Sequence, residues 1–293
     1  MTSVVQRLEG AGVIKPPAFV SSNIAYEAIM GSVAYGVSSD TSDMDVYGFC
    51  VPSRQIVFPH LAGEIEGFGR QKKRFDQYQQ HHIKHGDKEY DLSIYNIVKY
   101  FSLCMENNPN MVDSLYVPDS CVLSSTQVGQ MVRGARDMFL HKGAWHKFKG
   151  YAYSQLHKMS GKQPIGKRVE IREEFGYDVK FAYHTVRLLY EAEQILSEHT
   201  IDLQRHREHL KAIRRGEVSE DDVRQWATSK EKSLEKAYET STLRHSPDEG
   251  AIRALLLNCL EHHYGSLEGC VVDESRAAAA IRQIKGIIES SGL

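Results

Sequence analysis

Between Gly31 and Val46 the chain reads Gly-Ser-Val-Ala-Tyr-Gly-Val-Ser-Ser-Asp-Thr-Ser-Asp-Met-Asp-Val, and two stretches of strand periodicity flank it. Upstream, Ile24, Tyr26, Ala28 and Met30 alternate with Ala25, Glu27 and Ile29, which predicts a strand ending at Gly31. Downstream, Met44 to Val51 reads as a second strand closed by Pro52. A strand, a Gly/Ser-rich turn and a strand that opens on Asp-x-Asp admit few architectures. Gly31 allows close backbone approach, and free N–H groups near a helix start can hold phosphate oxygens. The Ser32 hydroxyl can donate one more hydrogen bond. Asp43 and Asp45, two apart on a strand, project from the same face. Two carboxylates beside a phosphate cradle suit Mg²⁺ or Mn²⁺, with oxygen ligands shared between protein and substrate phosphates. A third carboxylate from a neighbouring strand would complete a two-metal site for in-line phosphoryl or nucleotidyl transfer. An isolated Asp-x-Asp is usually a pair of solvated loop acids; the ordered combination carries the reading.

The third carboxylate has to come from residues 87–91. Tyr90, Leu92 and Ile94 alternate with Glu89, Asp91 and Ser93, a third strand. Asp87, Glu89 and Asp91 share the polar parity, so any of them can face the site. A helix follows, with Ile94, Ile97, Val98, Phe101, Cys104 and Met105 at helical spacing. Asn107-Asn108-Pro109 breaks it, and Pro109 can open the next helix. Residues 61–88 are polar and rich in Gln, His and Lys, and read as a long loop or ribbon.

From about residue 124 the strand signal ends. Helices are predicted near 125–140, 145–160, 176–198, 221–240, 248–264 and 273–290. Breaks fall at Gly161 to Gly166 and at Arg215-Gly216, and Ser246-Pro247-Asp248 is a helix start. A length of 293 residues suits two domains. The expected fold class is α+β: a small mixed-sheet domain over 1–123, then an all-helical domain over 124–293.

Composition narrows the setting. No apolar run approaches the roughly 18 residues of a membrane helix, and residues 1–12 carry no apolar signal core. The five cysteines are scattered without a CxxC, which points to a reducing, cytoplasmic setting. Net charge is −2, so the chain as a whole is not a basic nucleic-acid protein. The charge is uneven: residues 141–215 hold 15 Lys and Arg against 9 Asp and Glu. Two solvated faces would look the same.

Within the predicted helix 176–198, Lys180, His184, Arg187 and Glu191 form one polar stripe, able to hold a triphosphate or a nucleic-acid backbone. The plain alternative is an exposed face with an Arg187–Glu191 ion pair of about 0.2–0.5 kcal/mol. On the preceding helix Tyr151, Gln155 and Lys158 share a face that could line a cleft. His81-His82-x-x-His85 could ligate zinc but lacks a matching second half. Lys72-Lys73-Arg74 reads as a solvated patch, with RNA backbone contact as its functional alternative. His262-His263-Tyr264 reads as a helix end.

The segment Tyr26 to Gly36 followed by Ser42-Asp43-Met44-Asp45 resembles the GS-x(n)-DxD signature of the DNA polymerase β-type nucleotidyltransferase superfamily. More narrowly, it is similar to a predicted nucleotidyltransferase subfamily with members associated with RNA repair. Asn108 to Leu115 is similar to that subfamily's NPxxxExL block, with Asp113 where Glu is usual. Tyr151 to Leu156 resembles its GYAxxQL helix, and Tyr177 to Leu188 its YDxKxAxHxxRL helix. Ser241 to Asp248 is similar to an S-x-LP-x-x-PD segment, with His245 and Ser246 replacing parts of it.

The resemblance implies a polymerase β-like core with a helical domain closing a cleft over it. It implies transfer of a nucleoside monophosphate from an NTP, ATP among them, to an acceptor hydroxyl, with release of pyrophosphate. An RNA 3′ end is the favoured acceptor and a protein hydroxyl or small molecule the alternatives. On this reading Asp43 and Asp45 bridge both metals, and the resemblance points to Asp91 as the carboxylate that holds the acceptor-activating metal. Gly31 and Ser32 grip the β- and γ-phosphates. Lys180 and Arg187 neutralise the leaving pyrophosphate, and His184, Tyr151 and Gln155 complete the nucleotide site. The competing class is a non-catalytic nucleotide- or RNA-binding module of the same fold. A metal-dependent phosphohydrolase is disfavoured, since no paired His-Asp motif is present.

Overall fold

The computed structural model describes residues 2–38, 43–161, 167–270, 281, 283–285, 287, 288, 290 and 291. In chain order the first half holds α1 (Val4–Gly10), α2 (Ala18–Ser22), β1 (Ile24–Ile29), α3 (Gly31–Ala34), β2 (Met44–Cys50), α4 (Arg54–Val57), β3 (Gln77–His85), β4 (Lys88–Asn96), α5 (Ile97–Met105), α6 (Pro109–Tyr116) and β5 (Val122–Ser125). The second half holds α7 (Gln127–Gly134), α8 (Ala144–Gly161), α9 (Lys167–Phe175), α10 (Val179–Glu198), α11 (Arg207–Arg214), α12 (Glu220–Thr240) and α13 (Glu249–Tyr264). The fold is α+β, with helices alone after β5 among the described residues.

The five strands form one sheet in the order β3-β4-β2-β1-β5. β2 and β4 run parallel and every other pair antiparallel. Strand alternation sorts the side chains onto two faces. Val46, Cys50, Tyr90, Leu92 and Ile94 pack with Val4, Val5, Leu8 and Val20 under α1 and α2. Tyr26, Ala28 and Phe49 face the other way, into a core shared with α5, α6, α8, α10, α12 and α13. That core runs without a break from the sheet into the helical half. The proposed boundary between residues 123 and 124 falls inside β5.

Capping explains where the site-bearing helices start. Asn96, the last residue of β4, accepts the Val98 N–H at 3.0 Å and turns the strand directly into α5. Asn108 accepts the Asn110 N–H at 3.1 Å, with Pro109 in the first turn of α6. Asp178 accepts the N–H groups of Lys180 and Phe181 at 3.0 and 3.2 Å and starts α10.

The reading of 61–88 as loop or ribbon holds as far as residue 76; β3 follows. β3 and β5 are edge strands whose side chains are mostly exposed or half-buried, so neither shows apolar alternation. The helix expected over 125–140 divides into α7 and a 3₁₀ turn at Arg136–Phe139. α1, α2, α4, α9 and α11 were not anticipated. The break at 162–166 and the helix expected from 273 fall wholly or largely outside the described residues. All five cysteines are free and buried. No described helix is long and apolar enough to cross a membrane.

One buried carboxylate ties the N-terminal helix to the sheet. Glu27 on β1 is fully buried and accepts the N–H groups of Val4 and Val5 at 2.7 and 3.1 Å. Burial raises its pKa, and those two N–H groups oppose the rise. Glu27→Ala leaves both donors unpaired, so urea unfolding should show a loss of about 1–3 kcal/mol. Glu27→Gln, which retains one acceptor oxygen, should lose less.

Candidate active site

The expected site forms where β1 ends and β2 begins. Gly31 has φ +66°, and a Cβ there would lie 2.1 Å from Asp45 Oδ2. Glycine is therefore required twice, for the backbone conformation and for the room the carboxylate occupies. The Met30 N–H donates to the Asp45 carbonyl at 2.7 Å, fixing the turn against β2. Asp43 is exposed just before β2, and Asp45 is half-buried two residues on. Ser32 is half-buried in the first turn of α3. Residues 39–42, the end of the Gly/Ser-rich stretch, lie outside the described residues.

The parallel register places Asp45 opposite Asp91. Both belong to the face opposite that of Val46, Tyr90 and Leu92, towards the helical half. Burial raises the Asp45 pKa above the usual carboxylate value, and the Asp91 charge raises it further; Lys180 and His81 oppose. Asp91 itself is held by a β-bulge. Gln80 pairs with Leu92 and Ile83 with Tyr90, so His81 and His82 together oppose Asp91. His82 has φ +56°, and its backbone N–H donates to Asp91 Oδ1 at 2.7 Å. His81 Nδ1 lies 3.4 Å from Asp91 Oδ2. The His82 ring lies 2.6 Å from Glu89 Oε1, which raises the imidazole pKa. Of the three carboxylates that shared a parity in the sequence, Glu89 is thus turned to His82, Asp87 lies in the hairpin turn, and Asp91 stands beside Asp45.

Among the described residues no three His, Cys, Asp or Glu side chains converge as a ready-made metal site. The chemistry of the donors nevertheless fits a divalent cation. Two carboxylates face each other on neighbouring strands, and the charge on one is disfavoured by burial and by the other. A cation with oxygen preference would add to the partial counter-charge of Lys180 and His81.

A cavity of about 250 Å³ opens beside Asp45. Gly31, Tyr35 and Tyr47 line it from the sheet side and Asn110 from α6. Tyr151 and Gln155 line it from α8, and His184, Arg187 and Leu188 from α10. The expected residues Gly31, Asp45, Tyr151, Gln155, His184 and Arg187 are therefore brought together. Ser32, Asp43, Asp91, Lys158 and Lys180 are not part of its lining. Lys180 is exposed, yet near enough to Asp45 for its charge to act on that carboxylate. A larger hollow of about 500 Å³ lies between α8 and α12, lined in part by Tyr153, His157 and Thr228, and contains none of the expected residues.

The polar stripe on α10 is not a uniform solvated face. Arg187 is 5% exposed, Glu191 2% and Asp113 0%. The Arg187 guanidinium donates to Asp113 Oδ2, and to the two Glu191 oxygens at 2.9 and 3.0 Å. It lies 4.2 Å from the centre of the Tyr35 ring, whose hydroxyl donates to Asp113 at 2.9 Å. Burial raises the pKa of both carboxyls, and the guanidinium opposes this. His184 is pushed well below the usual histidine value by burial, then by Arg187 and Lys180. Nearby, Gln204 donates to the Ala34 carbonyl at 3.1 Å and Arg214 to the Val37 carbonyl at 2.5 Å. The helical half thus grips the turn that presents Gly31.

Tyr35, Tyr47, Asn110 and His81 were not singled out for these positions. Tyr35 and Asn110 lie inside blocks already noted, and Tyr47 shares the parity of Asp45. His81 stood in the His81-His82-x-x-His85 run, whose bulge only the β3–β4 pairing reveals.

A family model described as the RNA repair pathway DNA polymerase beta family matches residues 9–263. Among solved structures, a nucleotidyltransferase-like protein from Exiguobacterium sibiricum is similar at 12% identity. That match covers 91% of this chain and 75% of the other, with a TM-score of 0.30, too loose a likeness to bear on the site. No curated protein matches the chain.

Two results should follow from this geometry. Because the ionised Asp45 is disfavoured next to Asp91, Asp45→Asn should raise the melting temperature slightly in EDTA and remove the stabilisation given by Mn²⁺ with an NTP. Thermal melts in EDTA and in Mn²⁺ plus NTP measure both effects. Arg187→Ala strands two buried carboxylates and should cost about 3–5 kcal/mol in urea unfolding, far more than an exposed ion pair.

Proposed function

The chain belongs to the RNA repair pathway DNA polymerase beta family, and we propose that it is a Mg²⁺- or Mn²⁺-dependent nucleotidyltransferase. It moves a nucleoside monophosphate from an NTP to an acceptor hydroxyl, with an RNA 3′ end as the acceptor class, and releases pyrophosphate. The observation that supports this most directly is Asp45 opposite Asp91 with the Gly31 backbone packed against the Asp45 carboxylate.

The acceptor oxygen attacks the α-phosphorus in line. The bond to the acceptor oxygen forms, the bond to the bridging β-oxygen breaks, and the hydroxyl proton leaves to solvent. Asp43, Asp45 and Asp91 are the carboxylates that would hold the divalent ions, which supply charge neutralisation at the phosphates and a lowered pKa at the acceptor hydroxyl. Gly31 lets the triphosphate approach the backbone, and the Ser32 hydroxyl donates to it. Lys180 meets the charge that develops on the leaving pyrophosphate. Arg187, expected from the sequence to share that task, is engaged by Asp113 and Glu191, so its proposed part is to hold the cavity wall. Domains 1–123 and 124–293 would carry the carboxylates and the closing wall respectively. The excess of Lys and Arg over 141–215 supports an RNA acceptor.

A non-catalytic nucleotide- or RNA-binding module is the second reading, favoured by the lack of a converged three-donor cluster among the described residues. The test is incubation with each α-labelled NTP, Mg²⁺ and a pool of total RNA or of protein. Label in RNA is the expected outcome, abolished by Asp43→Asn and by Asp45→Asn. Asp91→Ala should keep NTP–Mg²⁺ binding within a few-fold and lose transfer. Label in protein would change the acceptor, and bound but untransferred NTP would return the chain to the binding-module class.

A further inference from the structure

We propose that the cavity bounded by Asn110, Gln155, Tyr47, Tyr151 and Leu188 receives the adenine base of the donor nucleotide, so that the donor is ATP. The inference rests on the nucleotidyltransferase reading and extends it to the identity of the nucleotide.

Charge placement decides which part of an NTP enters. The one arginine lining the cavity, Arg187, is spent on two buried carboxylates, Asp113 and Glu191. Burial, then the Arg187 and Lys180 charges, disfavour the cationic form of His184. The interior therefore offers no net positive charge to a triphosphate. Among the described residues, Lys180 is the cation that acts most on Asp45, and it is exposed and outside the lining. The phosphates are consequently placed beside Gly31 and Asp45, and the uncharged end of the nucleotide beside Asn110, Gln155 and the tyrosines. A volume of about 250 Å³ is below the ~300–1,000 Å³ of sites that enclose a whole drug-sized ligand. It suits a base with part of its sugar. The phenol rings of Tyr47 and Tyr151, with Leu188, give flat apolar contact of the kind a base takes.

The remaining polar groups select among bases. Arg and Lys pair best with guanine, Asp and Glu accept from the cytosine amino group, and Asn and Gln pair bidentately with adenine. The Arg187 guanidinium is turned to Asp113 and Glu191, which lie behind the lining. Asp45 is assigned to the divalent cation. Beside His184 and the tyrosine hydroxyls, the lining carries the carboxamides of Asn110 and Gln155, which have no side-chain hydrogen bond with other described residues. Each supplies one donor edge and one acceptor edge, the complement of adenine's ring nitrogen and exocyclic amine.

Calorimetry on the full chain with Ca²⁺ tests this, using ATP, GTP, CTP, UTP and inorganic tripolyphosphate as the probes. The expected result is ATP at least tenfold tighter than the other three. Asn110→Ala with Gln155→Ala should bring the four NTPs within about threefold of one another and leave tripolyphosphate binding unchanged. Gln155→Glu, a conservative change that guards against misfolding, should shift preference towards CTP. Equal binding of all four NTPs by the unaltered protein, preference for another base, or an ATP preference that survives the double substitution would each overturn the adenine assignment while leaving nucleotidyl transfer standing. No binding of any NTP would overturn both.

Discussion

Arg187 joins three pieces of the chain that are far apart in sequence. Its guanidinium holds Asp113 of α6 and Glu191 of its own helix, and stacks on Tyr35, which follows α3. Burying one cation with two carboxylates is unfavourable unless the geometry is good. Asp113 Oδ1 and Arg187 Nε nevertheless have no hydrogen-bond partner. Such a network contributes little net stability but specifies position, because moving any member strands a buried charge. Here it specifies the separation of α3, α6 and α10, and with it the walls of the cavity next to Asp45. The Gln204 and Arg214 bonds to the Ala34 and Val37 carbonyls act in the same direction.

Much of the architecture was legible because its signals are local. β1, β2 and β4 have apolar faces, and α5, α6, α10 and α13 begin at Asn or Asp caps. β3 was not legible. Gln77 to His85 lies at the sheet edge, where packing leaves little imprint on the sequence. The site divides in the same way. Asp43 and Asp45 follow from spacing along one strand. Preferring Asp91 to Glu89 and Asp87 takes the β2–β4 register, which is a non-local fact. Arg187 read as part of a polar stripe able to hold phosphates because its buried partner, Asp113, comes 74 positions earlier.

The bulge at His81-His82 lies on β3, so the parity of Glu89, Asp91 and Ser93 on β4 holds. What parity along β4 does not show is that β3 sets two residues opposite Asp91. A histidine at positive φ costs on the order of 1 kcal/mol, which a glycine would avoid. The strained conformation aims an N–H at Asp91, and the His82 ring takes Glu89 away from the same space. Asp91 is thereby held in one orientation beside Asp45 despite their mutual repulsion.

Charge at the site is consequently segregated. Asp43, Asp45 and Asp91 gather negative charge, which Lys180 and His81 oppose at Asp45. Along the cavity lining, Arg187 is engaged by two carboxylates, and the amides of Asn110 and Gln155 and the tyrosine rings carry no charge. A ligand that is anionic at one end and neutral at the other can satisfy both regions in one orientation only, provided a divalent cation bridges the carboxylates to its charged end. Without that cation, carboxylates and phosphates would repel across the same few ångströms. On the proposed function, nucleotide and metal binding should therefore be strongly coupled, with each raising the affinity of the other by the same factor.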